Sequence, residues 1–345
     1  MKVRIHKFTL ELDWNLVGKL SAVDRFDAKW SAIERREGKS LKQLKEVATV
    51  KSVGASTRIE GSKLNDAQVQ TLLQKISITK FEERDEQEVA GYFELLGEIS
   101  NGFHEISISE NSLKNLHNLL LKRCDKDQWH KGDFKQHSNS VVAFLPGGKT
   151  ELIFETTPPG FETDDAIRDL IRWFKNDNET HPLVKCALFS YEFVSIHPFQ
   201  DGNGRLSRLI ITLLLLQHGY KWIEYISFEH EIEAQKTNYY QVLRDCQSMR
   251  PGEDVSPWIN FYLDGLIKIQ NELMGKLEES GMETELSPTQ KEILSYMSGN
   301  PGAQSSDVAQ KMDIPLPTVK RILSQLVDLE LLRKHGVGRG TNYSI

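Results

Sequence analysis

The chain has 345 residues, which is enough for two or three domains of roughly 150 residues or fewer. Hydrophobic residues make up 39% and charged residues 27% of it, with both signs interspersed, and this composition argues against wholesale disorder. The net charge of −6 argues against a protein whose whole surface binds nucleic acid or membranes, and it leaves room for a local basic face.

Cysteine usage and hydropathy indicate the compartment. Cys124, Cys186 and Cys246 are scattered without a CxxC pair, which argues against a disulfide framework and a zinc ribbon and favours a reducing environment. The N-terminal residues contain no signal-peptide core. The longest apolar run, Leu209–Leu216, is far shorter than the roughly 18 residues that span a bilayer. We therefore expect a soluble, cytoplasmic protein with no membrane partner.

Apolar residues recur at helical spacing over most of the chain and predict a mainly α fold. One amphipathic helix is predicted over 113–121 and another over 164–175. The segments 182–196 and 206–218 are apolar on nearly every face, which predicts two helices at the centre of a helical core. Gly219 is placed to end the second of them.

One stretch interrupts this helical pattern. Between residues 138 and 159, the apolar segments Val141–Leu145 and Leu152–Phe154 flank the turn sequence Pro146–Lys149, which predicts a β-hairpin. A lone hairpin gains little stability unless it packs on other structure. We therefore expect it to lie across the helical core, and the alternative is a surface decoration.

The sequence HPFQDGNGRLSR, residues 197–208, separates the two apolar helices. Pro198 disfavours a helical conformation at His197, so the first helix should end there with its imidazole facing outward. The turn Gly202-Asn203-Gly204 directly precedes the second helix. The free N–H groups at the start of that helix favour an anion.

The charged residues of this segment point to phosphate chemistry. Arg205 and Arg208 share one face of the second helix, and two guanidiniums beside a helix N-terminus suit a polyphosphate. Asp201 is placed to bind Mg²⁺ through one carboxylate. Each feature alone has an ordinary explanation, since a histidine often pairs with a helix dipole and Gly-Asn-Gly makes any tight turn. Together they favour nucleotidyl or phosphoryl transfer.

The segment HPFQDGNGRLSR is similar, at every fixed position, to the Fic-family motif H-x-F-x-D/E-G-N-G-R-x-x-R. The hairpin ending in Pro158-Pro159 resembles the family's flap, and residues 182–196 resemble its helix before the motif. Asn238-Tyr239-Tyr240 with Leu243 resembles its downstream YYxxL segment. The resemblance covers roughly residues 40–265. One departure precedes the flap, where Lys135 stands in place of an expected arginine.

This resemblance implies a Fic-type helical core with a β-hairpin flap. It also implies protein AMPylation, the transfer of AMP from ATP to a Ser, Thr or Tyr hydroxyl of a target protein or of the chain itself. His197 would be the base that takes the hydroxyl proton, and an ordinary pKa near 6.5 suits that task. Asp201 would bind Mg²⁺ across the α- and β-phosphates. Phe199 would anchor the loop in the core.

The resemblance also implies a set of ATP contacts. Asn203 and the backbone around Gly202 and Gly204 would stabilise charge at the α-phosphate, while Arg205 and Arg208 would orient the β- and γ-phosphates. The flap would cover the nucleotide and bind an extended target segment by β-augmentation. The remaining predicted contacts are Glu60, Ile153, Phe154, Glu155, Thr156, Tyr239, Tyr240 and Gln247. For Tyr239 and Tyr240, packing of an ordinary amphipathic helix is the alternative.

The segment STRIEG, residues 56–61, matches the family's inhibitory pattern [S/T]-x-x-x-E-[G/N]. Ser56 and Glu60 are four apart on a predicted helix, so both can face the site. A carboxylate there would pair with Arg208, repel the γ-phosphate and restrain activity. Gly61 completes the pattern. The alternatives are a solvent-facing glutamate before a helix-ending glycine, and a carboxylate that positions water to remove AMP again.

The C-terminal residues 286–345 predict three helices and a small β-wing, which resembles a winged helix-turn-helix domain. They carry a net charge of +2. On the third helix, Val319, Ile322, Leu323, Leu326 and Val327 form an apolar stripe, and Thr318, Lys320, Arg321, Ser324 and Gln325 are left outward. Arg333, Lys334 and Arg339 lie on the wing. DNA binding is one prediction, and homodimer formation or target docking is the alternative.

The predicted organisation has three parts. Residues 1–110 form an N-terminal helical region that carries the inhibitory motif, 111–275 the catalytic core and 286–345 the winged-helix domain. We expect a protein adenylyltransferase with ATP as substrate and Mg²⁺ as cofactor, restrained by Glu60. The rival hypothesis is a DNA-binding regulator whose Fic domain only senses nucleotide.

Overall fold

The computed structural model describes residues 1–37, 41–76, 81–139, 141–144, 150–279, 286–329, 331–336 and 338–345. Within these ranges the chain forms fourteen α-helices and three antiparallel strand pairs, which confirms the mainly helical fold. No helix in the same ranges is both long and apolar enough to cross a membrane. The predicted turn Pro146–Lys149 lies outside the described residues.

The helices are α1 (Trp14–Glu37), α2 (Leu41–Ile59), α3 (Asp66–Lys75), α4 (Arg84–Gly102), α5 (Glu110–Leu120), α6 (Phe161–Asn176), α7 (Pro182–Ile196), α8 (Asn203–Gln217), α9 (Phe228–Ala234), α10 (Lys236–Gln247), α11 (Ser256–Glu279), α12 (Pro288–Gly299), α13 (Ser305–Met312) and α14 (Leu316–Asp328). The strands are β1 (Lys2–Ile5), β2 (Phe8–Glu11), β3 (Val141–Phe144), β4 (Thr150–Phe154), β5 (Arg333–His335) and β6 (Asn342–Ser344).

Contacts divide the chain into two compact units. One comprises Met1–Asp24 and Leu44–Gln270, and the other comprises Arg25–Gln43 and Asn271–Ile345. The predicted domain bounds at 110, 275 and 286 stay a prediction.

The centre of the first unit is the pair α7 and α8, which pack against each other. Nearly every side chain of both helices is buried, as expected of helices that are apolar on all faces. Helix α4 packs on α5 and α8. A Cβ at Gly91 of α4 would overlap the carbonyl oxygen of Leu120, so glycine permits this close approach. Gly219 follows α8 with a positive φ of 95° and ends it as predicted.

The N-terminal strand pair β1–β2 was not predicted. Phe8 and Leu10 of β2 are buried. The backbone of Thr9 also pairs with the segment that precedes α11. The Thr9 N–H donates to the Glu253 carbonyl and the Val255 N–H donates to the Thr9 carbonyl, both at 2.9 Å. The region 1–110 is therefore not wholly helical. Val3 and Ile5 of β1 and Phe8 and Leu10 of β2 alternate with polar residues, but each strand has only four residues, the lower limit at which alternation indicates a strand.

The predicted hairpin forms from β3 and β4. Its register pairs Phe144 with Thr150 and Val142 with Leu152, and a shift follows at Val141. Strand β4 contacts α10, so the hairpin packs on the helical core and is not a surface decoration.

The winged-helix part of the second unit follows the prediction closely. A capping box between Ser287 and Gln290 begins α12. The apolar stripe of α14 is buried in a core that includes Ile293, Met297, Val308 and Tyr343. On the opposite face, Lys320 and Arg321 are exposed, as are Ser324 and Gln325. Strands β5 and β6 pair to form the wing.

Candidate active site

His197 follows the last residue of α7, where Pro198 prevents the helix from continuing. Its backbone has a left-handed conformation with φ 55°, which turns the chain sharply at this point. Nδ1 lies 3.1 Å from the Val194 carbonyl oxygen, and a carbonyl only accepts hydrogen bonds. Nδ1 therefore carries the proton and Nε2 keeps the lone pair. Burial lowers the pKa of His197 below its ordinary value, so the ring is neutral at neutral pH.

The loop after His197 is closed by hydrogen bonds of its own. The Phe199 N–H donates to Asn203 Oδ1 at 2.9 Å, and Asn203 Nδ2 donates to the Phe199 carbonyl at 2.7 Å. Phe199 is completely buried, in agreement with its predicted anchoring role. Asn203 was expected to face the α-phosphate. Its side chain closes the loop instead, although the residue still lines the cavity described below.

A buried histidine of α5 supports the same loop. The His117 ring stacks on Phe199 with 3.8 Å between centroids. Its Nδ1 accepts from the Gly132 N–H at 2.9 Å, which leaves Nε2–H to donate to the Asp201 carbonyl at 3.0 Å. Burial lowers the pKa of His117 to about 4. This histidine is therefore a neutral structural support and not a second base.

The loop leads into the N-terminus of α8. Gly202 occupies the cap position with φ 77°, a left-handed conformation that favours glycine. No side chain among the described residues caps this helix end, so the N–H groups of its first turn remain available. Such groups, together with the helix dipole, bind anions.

Arg208, one turn further along α8, contacts the STRIEG segment. Its Nε donates to Ser56 Oγ at 2.8 Å, and its Nη2 donates to the Ser56 carbonyl at 2.9 Å and to Glu60 Oε1 at 2.8 Å. The Arg208 side chain is 1% exposed, whereas that of Glu60 is 33% exposed. The predicted pairing of Glu60 with Arg208 is present, and the Nη1 nitrogen of Arg208 has no hydrogen-bond acceptor among the described residues.

Glu60 reaches the start of α8 itself. A Cβ at Gly204 would overlap Glu60 Oε1 and would lie 3.3 Å from Arg208 Nη1. Glycine at this position therefore leaves room for a negatively charged group beside the helix end, and the Glu60 carboxylate is the group that now lies there. Gly61 follows with φ 110°, so a residue other than glycine would be strained at the end of α2.

Arg205 and Asp201 form a second ion pair at the cavity. Arg205 is buried and its Nη2 donates to Asp201 Oδ2 at 3.0 Å. Burial opposes ionisation of Asp201, but the Arg205 guanidinium, a backbone hydrogen bond from Gly202 and the charge of Arg84 outweigh it and lower its pKa. The Asp201 side chain is 41% exposed. A partly solvated carboxylate is thus held ionised beside the N-terminus of α8.

Lys135 replaces an arginine expected by resemblance, and its position is buried. Its Nζ donates to Asn139 Oδ1 at 2.9 Å, to Thr156 Oγ1 at 3.0 Å and to the Ile196 carbonyl at 3.2 Å. Asn139 Nδ2 in turn donates to the Phe199 carbonyl at 2.6 Å. Burial lowers the pKa of Lys135 to about 8. The lysine thereby ties the end of the hairpin to the residue before His197.

These residues surround a cavity of about 590 Å³. Most of the predicted site residues line it, namely Glu60, Phe154, His197, Asp201, Gly202, Asn203, Gly204, Arg205, Arg208, Tyr239, Tyr240 and Gln247. Glu155 is exposed and Thr156 is buried, and neither is among the described lining residues. The side chain of Ile153 lies outside the described residues. Ser56 lies behind Arg208, and Gly61 is exposed.

Several site residues were missed by the sequence analysis. Asn139, Lys236 and Arg244 line the cavity, and no periodicity or motif distinguishes them. His117 was detectable, because it is the polar member of the apolar face that Leu113, Leu116 and Leu120 form on α5. Long-range pairings, such as that of Arg84 with Asp201 across 117 residues, leave no local signal in the sequence.

Comparison with known proteins agrees with this geometry. A model of the Fic/DOC family matches residues 107–215, and a model described as winged helix-turn-helix DNA-binding matches residues 286–333. Proteins named protein adenylyltransferase Fic, from Drosophila sechellia and Drosophila melanogaster, are each 26% identical over 250 residues. The alignment covers 71% of this chain and 46% of each relative, so the chain matches less than half of the relatives' length.

The fold has solved counterparts. A Fic family protein from Desulfovibrio desulfuricans aligns with a TM-score of 0.65 at 22% identity, covering 99% of this chain and 98% of that one. A Fic domain containing signaling protein from Bacteroides thetaiotaomicron aligns with a TM-score of 0.61 at 23% identity, over 77% and 99% of the two chains. The chain therefore contains a Fic/DOC-family domain that includes the loop from His197 to Arg208, followed by a winged helix-turn-helix domain.

Proposed function

We propose that the chain is a protein adenylyltransferase that transfers AMP from ATP to a hydroxyl side chain of a target protein and of itself. The observation that carries the proposal is the position of His197 Nε2, which holds a free lone pair at a cavity that also contains an uncapped helix N-terminus and two buried arginines. The homology to proteins named adenylyltransferase supports the same reaction.

The reaction follows from these groups. His197 Nε2 accepts the proton of the target hydroxyl, whose oxygen forms a bond to the α-phosphorus of ATP. The bond between that phosphorus and the bridging oxygen breaks, and pyrophosphate leaves with the bonding electrons. The N–H groups that begin α8 stabilise charge on the α-phosphate, and Arg205 and Arg208 orient the phosphates beyond it. The low pKa of His197 keeps the base unprotonated at neutral pH.

Mg²⁺ fits this donor set. Among the described cavity-lining residues, Glu60 and Asp201 are the acidic ones. No described cluster of three or more His, Cys, Asp or Glu side chains could hold a metal by itself. Mg²⁺ commonly binds one carboxylate together with substrate phosphates and water, and partly exposed, ionised Asp201 is suited to be that carboxylate. When bound, the ion would neutralise phosphate charge.

Glu60 is proposed to restrain this activity. It occupies the side of Arg208 that faces Gly204, so its carboxylate competes with the terminal phosphates for the guanidinium and repels them. A second role, positioning water to remove AMP, uses the same carboxylate and would make the enzyme bidirectional.

The position of the label in ATP tests the reaction. Glu60→Gly protein is incubated with Mg²⁺ and ATP that is radiolabelled at either the α- or the γ-phosphate. We expect the α-label to become covalently attached to protein and the γ-label to remain in solution, and His197→Ala should abolish attachment. Transfer of the γ-label would indicate a kinase, and no transfer of either label would favour nucleotide sensing alone.

The winged-helix domain supports a second function, DNA binding. The observation that favours it is the exposed pair Lys320 and Arg321 on α14, at positions where a recognition helix reads the major groove. The same exposed face would also suit a protein partner or a second copy of the chain, and a gel-shift assay with variants of Lys320 and Arg321 separates these alternatives from DNA binding.

A further inference from the structure

Asp201 belongs to a ring of four ion-paired side chains. Arg84, the first residue of α4, donates from Nη2 to Asp201 Oδ2 at 2.9 Å and from Nε to Glu88 Oε1 at 2.8 Å. Arg205 closes the ring, with Nη2 at 3.0 Å from the same Asp201 oxygen and Nη1 at 3.2 Å from Glu88 Oε2. Both guanidiniums thus share one oxygen of the proposed cation ligand.

The two arginines of this ring differ in burial. The Arg205 side chain is 2% exposed, whereas that of Arg84 is 46% exposed. A carboxylate of Asp127 also lies 3.7 Å from Arg84, so the cluster has three carboxylates and two guanidiniums. Exposed ion pairs contribute little stability, and Arg84 can therefore leave Asp201 at low cost while Arg205 cannot.

We propose, on the basis of the proposed function, that Arg84 is a positioning residue that competes with the divalent cation for Asp201. In the resting protein its guanidinium holds the carboxylate in place. A divalent cation bound to Asp201 would displace Arg84, because two positive groups on one carboxylate repel each other and the exposed guanidinium is the one free to move into solvent. Arg84 thereby sets the cation concentration at which the site fills, and it returns to Asp201 when the cation leaves.

Mn²⁺ binding to the full-length protein saturated with a non-hydrolysable ATP analogue tests this proposal directly, because the proposed site completes its ligand set with nucleotide phosphates. The paramagnetic ion broadens the amide NMR signals of nearby residues, and Gly202 and Gly204 report on the Asp201 site. For Arg84→Gln we expect the half-maximal Mn²⁺ concentration to fall about tenfold, because one nearby positive charge is removed. Arg84→Lys keeps the charge and should stay within about twofold of the wild type.

Two further variants serve as the negative and positive controls of this titration. Arg168→Gln is the matched control, since Arg168 is 45% exposed and pairs with Glu110 and Asp164 outside the cavity, and it should leave the titration unchanged. Asp201→Asn should abolish the broadening. An unchanged or higher Mn²⁺ requirement in Arg84→Gln would overturn the proposal, as would broadening that survives Asp201→Asn. Tighter Mn²⁺ binding without any AMP transfer would support the competition and contradict only the proposed reaction.

Discussion

At the scale of single residues, backbone carbonyls and amides fix the chemistry of two histidines. The Val194 carbonyl makes His197 carry its proton on Nδ1, so the free lone pair is on Nε2. The Gly132 N–H and the Asp201 carbonyl give His117 the opposite tautomer. The first arrangement suits a base, and the second suits a support that never needs to ionise.

We expect His117 to make the folded protein less stable at acidic pH. Its pKa is about 4 in the folded protein and near 6.5 in an unfolded chain. As pH falls from about 6.5 to about 4, His117 binds a proton in the unfolded state but not in the native state. The free energy of unfolding therefore falls by roughly 3 kcal/mol because of this residue. His117→Gln should show a shallower loss of stability across that window than the wild type.

Urea denaturation at a series of pH values measures this difference. The exposed His137 provides a control, because His137→Gln should leave the slope of stability against pH unchanged. Parallel curves for the wild type and His117→Gln would show that the buried histidine is not the source of the pH dependence.

At the scale of elements, the hydrophobic pattern of the sequence predicted the helices that are stabilised by burying apolar side chains. Helices α7 and α8 were apparent because nearly every face is apolar, and α14 because its stripe is buried in the winged-helix core. The β1–β2 pair was missed because each strand has only four residues, the lower limit at which alternation of apolar residues indicates a strand. The site motif was predicted from local sequence, whereas Lys135, Asn139 and Arg84 join it through contacts that only the fold creates.

Helix α14 is the element that would read DNA. Lys320→Ala and Arg321→Ala together should weaken DNA binding by about tenfold or more in a gel-shift assay, because each removes a positive contact on the exposed face. Binding should also weaken as salt rises. Lys311→Ala, at an exposed lysine on α13, is the control. Full affinity in the double variant would exclude this face as the DNA-binding surface and favour a protein partner.

At the scale of the whole molecule, residues far apart in the sequence converge on one buried guanidinium. Glu60 and Ser56 of the STRIEG segment approach Arg208 from 148 and 152 residues away. The contact places a carboxylate where the proposed reaction needs phosphate. Removing that carboxylate leaves the Arg208 charge buried without its partner, a costly arrangement that bound phosphates would relieve.

The central claim is that a catalytic site built on His197 is held back by Glu60. Intact-mass spectrometry after incubation with ATP and Mg²⁺ tests it most directly, because it counts AMP groups on the chain itself. We expect Glu60→Gly to acquire AMP at least about tenfold faster than the wild type. Glu105→Gly, which removes an exposed acid in a turn, is the control and should match the wild type. The double variant Glu60→Gly, His197→Ala should acquire no AMP. Equal AMP addition to the wild type and Glu60→Gly, or addition that persists without His197, would contradict the account.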